Sequence, residues 1–136
     1  WVPISILRNP TIAAISYSKA NKVEIEDAIR DVVSNMSFGI DFCVKNKGIV
    51  LSYEALLADT VSQCQKILKF LDLDRCESWY EICNDLAINN SPTYDSDGLS
   101  TIDKMVFKAS EELRIMAKLA LDEKSYTYWS KPFTDR

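Results

Sequence analysis

Apolar residues crowd the first seven positions, WVPISIL, and Val2, Ile4, Ile6 and Leu7 are β-branched or bulky, as a strand demands. Arg8-Asn9-Pro10 closes that run, and Pro10 both stops the strand and pre-sets the backbone for the first turn of a helix. Asn21-Lys22-Val23-Glu24 has the spacing of a capping box with asparagine as the cap. Beyond it Ile29, Val32, Val33, Met36, Ile40 and Cys43 recur at helical spacing and predict a buried face. Gly39 weakens the middle of that helix, and Asn46-Lys47-Gly48 ends it, with Gly48 placed as the left-handed residue. Ile49-Val50-Leu51-Ser52-Tyr53 is a short apolar run, expected as a second strand parallel to the first, so the helix between makes a right-handed crossover.

Asp59 or Thr60 opens another helix, with Val61, Cys64, Ile67, Leu68 and Leu71 on its apolar stripe. Asp74 is placed to cap a further one holding Trp79, Ile82, Cys83 and Leu86. Asn89 to Ser100, NNSPTYDSDGLS, is rich in turn formers and predicts a loop, for which a binding lid and a solvated connector fit equally. Helical spacing returns from Ile102 to Leu121, and the aromatic stretch Tyr126 to Thr134 shows no helical period. Helices alternating with two short parallel strands, near 2–8 and 49–53, define an α/β fold in a single domain over 1–136.

Composition narrows the function. At 136 residues and 47% hydrophobic content, the chain suits one core that buries about two thirds of the unfolded surface. Sixteen basic against twenty acidic residues leave a net charge of −4, which gives no support to a nucleic-acid or anionic-membrane role. No apolar run approaches the roughly 20 residues that span a bilayer. Cys43, Cys64, Cys76 and Cys83 show no CxxC spacing, and the absence of histidine removes the commonest partner for zinc. Cys76 and Cys83, seven apart on one predicted helix, are separated by about 10 Å along its axis, too far for a disulfide. Buried thiols in a reducing, cytoplasmic compartment and no metal are the expectation.

The candidate chemistry lies where the first strand ends. Arg8 falls at its carboxyl end, where open α/β sheets place their ligands, and a guanidinium offers a rigid fork of donors suited to phosphate. Ser16 follows on the helix about 9 Å from Pro10, at roughly 1.5 Å per residue, within reach of the same anion. Tyr53 falls at the carboxyl end of the second strand, on the same sheet edge. The competing reading of Arg8 is a surface ion pair, contributing about 0 to 1 kcal/mol. Glu54 is expected to cap or orient the following turn rather than to perform acid–base work.

Arg8-Asn9-Pro10 followed by Ser16-Tyr17 resembles the 3′-phosphate-binding segment of the sulfotransferase family. Leu51-Ser52-Tyr53-Glu54-Ala55-Leu56-Leu57, continuing through Lys69-Phe70-Leu71, is similar to that family's second strand end and the helix after it. The resemblance implies a partial P-loop-type three-layer fold whose P-loop strand-turn-helix, with the usual catalytic base region, lies upstream of this sequence. It also implies 3′-phosphoadenosine 5′-phosphosulfate (PAPS) as donor and a hydroxyl or amine acceptor. Arg8 and Ser16 would hold the 3′-phosphate and Tyr53 the adenine, and no catalytic residue is assigned. Trp129 to Phe133-Thr134 is similar to the end of the family's phosphate loop, but Asp122-Glu123-Lys124 stands where Arg-Lys-Gly is required, so that loop is not carried over. A catalytically silent nucleotide-binding or interaction module of the same fold and a P-loop phosphotransferase are the alternatives, and self-association stays open.

Overall fold

Two four-residue strands set the frame. β1 (Ile4–Leu7) and β2 (Ile49–Ser52) pair in parallel, with Ile4 opposite Ile49 and Leu7 opposite Ser52. The expected polarity is therefore observed. Parallel neighbours need a long crossover, and here it consists of α1 (Pro10–Asn21) and α2 (Ile25–Lys45). The computed structural model describes residues 1–74, 78, 81 and 98–132. The helix predicted behind Asp74, the stretch from Asn89 to Asp97, Cys76, Cys83 and Phe133-Thr134 lie outside the described residues.

Pro10 is the first residue of α1, as its fixed φ favours. The Asn9 side-chain oxygen accepts from the main-chain N–H groups of Thr11 and Ile12 at 3.0 and 3.3 Å, so the helix start is satisfied locally. Asn21 does not cap α2. It ends α1, where its amide donates to the Tyr17 carbonyl, and Lys22 turns the chain with φ 54°. α2 begins after Glu24, which makes no side-chain cap bond.

The glycines also differ from expectation. Lys47, at φ 55°, holds the left-handed position after α2. Gly48 is required by proximity instead, because a Cβ there would stand 2.3 Å from the Pro3 carbonyl oxygen, the acceptor for the Ile49 N–H. Gly39 lets α2 lie close on β1, since its Cβ would meet the Ser5 hydroxyl at 3.0 Å.

After β2 a short helix, α3 (Tyr53–Ala58), precedes the expected one, and α4 (Thr60–Phe70) opens at the Asp59–Thr60 boundary read from the sequence. The 102–121 prediction divides into α5 (Leu99–Ala109) and α6 (Glu111–Ala120), broken at buried Ser110. Tyr126 onward is not irregular: α7 (Glu123–Ser130) is a helix capped by Asp122, whose carboxylate accepts from the Ser125 N–H at 2.8 Å. Only Ser125 and Trp129 of α7 are buried, one turn apart, and two positions are too few to display a period.

The main core joins Leu7 of β1, Ile40 and Cys43 of α2, Val50 of β2, Leu113 and Ala117 of α6, and Trp129 of α7. A second cluster of Ala14, Ile29 and Val106 packs α1, α2 and α5 together. Ser5 and Leu7 turn inward while Ile4 and Ile6 stay about half exposed. Beside them Trp1, Phe42 and Phe38 stack in series at 5.8 and 6.1 Å, leaving apolar surface on this side of the sheet. Among the described residues, no helix is long and apolar enough to cross a membrane.

Candidate functional site

Because Leu7 pairs with Ser52, the next residues, Arg8 and Tyr53, leave the sheet side by side at its carboxyl edge. The Arg8 guanidinium carbon lies 5.4 Å from the centroid of the Tyr53 ring. Such a cation–π contact contributes about 0.5 to 1 kcal/mol where water still reaches it. Both side chains are half-buried. Ser16, also half-buried, stands six residues beyond Pro10 on α1, nearly two turns from the strand end. The structure thus brings Arg8 and Tyr53 together and sets Ser16 further along the helix that starts between them.

Four residues behind this pair, Glu54, Ser52, Asn9 and Trp129, hold its main chain in place. Glu54 is buried, and one carboxylate oxygen accepts the Asn9 main-chain N–H at 2.5 Å while the other accepts the Ser52 hydroxyl at 3.3 Å. It ties the two strand ends together, whereas the cap of the following turn, expected of Glu54, is Ser52. Ser52 in turn accepts from the Ala55 N–H at 3.1 Å and so caps α3. The Asn9 amide donates to the carbonyls of Trp129 and Lys131 at 3.4 and 3.1 Å, and the Trp129 indole N–H donates to the Arg8 carbonyl at 2.9 Å. Arg8 and Asn9 are therefore locked to the C-terminal helix. Asn-Pro at a helix start signals the capping role of Asn9 in sequence. Its reach to residues 120 positions away leaves no local signal.

Two ion pairs brace α7 from outside the site. Lys66 of α4 bonds Asp122, and Lys124 bonds Asp59 at 2.9 Å. Burial alone would raise the Asp122 carboxyl, but the hydrogen bonds from Lys66 and Ser125 and the Lys66 charge outweigh it and hold it below its ordinary value. The hydrogen bond to Asp59, reinforced by its charge, raises Lys124. Burial pushes the Cys43 thiol up, against a smaller opposing effect from the Ser5 backbone, which makes it a packing residue rather than a nucleophile. Among the described residues no group of His, Cys, Asp or Glu is arranged to hold a metal ion.

On the other side of Asn9 lies a cavity of about 430 Å³, bounded by the start of α1, one face of α5 and the end of α7. Arg8, Ser16 and Tyr53 are not among its lining residues. No family model, curated protein or solved structure matches the chain. The functional reading therefore rests on the residues themselves.

Proposed function

We propose that the chain is a sulfotransferase-like domain of P-loop type that grips the 3′-phosphate half of PAPS. The observation that carries this reading is the Arg8–Tyr53 pair at the carboxyl edge of two parallel strands. Arg8 supplies fixed cationic donors for the phosphate, Tyr53 an aromatic face for the adenine, and Ser16 a hydroxyl further along α1. Asn9 and Glu54 fix the main chain from which Arg8 extends, which lowers the ordering cost on binding. In the reaction the sulfuryl group passes in line to an acceptor hydroxyl or amine, and the part of this half-site is to fix the donor's position.

Both Glu54 oxygens are engaged by donors, an arrangement that favours orientation over proton transfer. That feature supports the second reading, a nucleotide-binding module without catalysis. Calorimetric titration with adenosine 3′,5′-bisphosphate, adenosine 5′-phosphate and ATP tests the first claim. Preference for the 3′-phosphorylated nucleotide by about tenfold or more is expected. A preference for ATP would assign the site to a phosphotransferase instead. Transfer of labelled sulfate from PAPS to a phenol or amine separates enzyme from silent module.

A further inference from the structure

The cavity beside Asn9 has no part in the nucleotide reading, yet its volume lies within the range of small-molecule sites. Ser100, Asp103, Lys104 and Phe107 recur at i, i+3, i+4 and i+7, so they share one face of α5, and all four line it. Val106, Ser110 and Trp129 supply buried lining beneath that polar face. A buried, mostly apolar base under a rim of polar side chains is the anatomy of a ligand site rather than of a gap in packing.

Phe107 stands at the rim, 66% exposed, so much of an apolar ring faces water there. Arg114 is held over one face of that ring, its guanidinium carbon 3.6 Å from the centroid, and donates to the Phe107 carbonyl at 3.0 Å. Two anchors thus fix a group that carries five N–H donors, of which this bond uses one. Among the described lining residues, Lys104, Arg114 and Lys131 outnumber the one acid, Asp103, in a chain of net charge −4.

We propose that this cavity binds a small aromatic anion, its ring packed on Phe107 and the apolar base, its carboxylate or sulfonate on Arg114 and Lys104. The site is separate from Arg8 and does not depend on the sulfotransferase reading.

Calorimetry of the intact chain with 2-naphthalenesulfonate tests the assignment. One saturable site is expected, with the uncharged 2-naphthalenemethanol bound about tenfold or more weakly. Arg114→Gln and Lys104→Glu should each weaken the sulfonate by about tenfold or more, while Arg8→Ala and Phe38→Ser leave it unchanged. Lys104 is exposed, so its variant decides the matter should Arg114→Gln not fold. Absence of binding, equal affinity for the alcohol, an unchanged affinity in Lys104→Glu, or loss on Phe38→Ser, which would move the ligand to the stacked aromatics of α2, each overturns the proposal.

Discussion

Asn9 binds in four directions at once. Its main chain donates to Glu54, its side-chain oxygen caps α1, and its amide reaches the last carbonyls of α7. The Arg8 guanidinium lies over the Tyr53 ring and the Arg8 carbonyl accepts from Trp129, on a main chain that this neighbour anchors. Asn9→Ala removes the cap and both amide bonds to the end of α7, one of them buried, and should lower stability by about 2 to 3 kcal/mol in urea denaturation. A loss below about 0.5 kcal/mol would mean that water replaces these bonds without cost. Gly48→Ala should also destabilise, by about 1 to 3 kcal/mol, through contact with the Pro3 carbonyl and not through backbone strain. The distinction between those causes is invisible in sequence: a glycine after a helix suggests φ > 0, and only the pairing of β2 with β1 shows that close approach is the reason. Arg8 and Tyr53 were legible because strand ends can be located from local pattern alone. Asn9's long-range partners were not, because nothing in NP specifies a contact with residue 131.

Among the elements, α7 departs furthest from its sequence pattern. A 21-residue helix such as α2 repeats its apolar positions often enough to be recognised. An eight-residue helix with Ser125 and Trp129 inward does not, and helices this short are marginal without tertiary support. Trp129 provides it: the side chain is fully buried between β1, α2 and α6 in the main core. Trp129→Ala should cost about 3 to 5 kcal/mol by calorimetric or denaturant melting, and a smaller loss would place the support elsewhere. The ion pairs with α4 and with the residue before it add a pH dependence of known sign. Asp122 is held below its ordinary carboxyl value, so its contribution is complete above the usual carboxylate range and disappears as pH falls through the lowered value. Lys124 is raised by Asp59, so its contribution is complete below the usual lysine range and disappears as pH rises through the raised value. Asp122→Asn retains a capping oxygen and removes the charge. Its melting temperature should fall below that of the parent chain at pH 7 and coincide with it near pH 2, whereas an equal deficit at both values would refute an electrostatic role.

At the scale of the molecule, parallel pairing of two short strands is what turns sequence neighbours of no evident relation into one site. Residues 8 and 53 meet because α1 and α2 carry the chain back to the start of β2 in register with β1. That topology followed from the length and polarity of two apolar runs, so the α/β class and the edge bearing Arg8 were readable in advance. The helix break at Ser110 was not, since no Pro or Gly marks it in the chain. The central claim is that Arg8 recognises the 3′-phosphate specifically, and a thermodynamic cycle tests it most directly. Affinities of the parent chain and of Arg8→Ala are measured by calorimetry for adenosine 3′,5′-bisphosphate and for adenosine 5′-phosphate. The account predicts a loss of about ten- to a hundredfold for the bisphosphate, with little change for the monophosphate and a melting temperature lowered by no more than a few degrees. Equal losses for both nucleotides, or no loss for either, would contradict it.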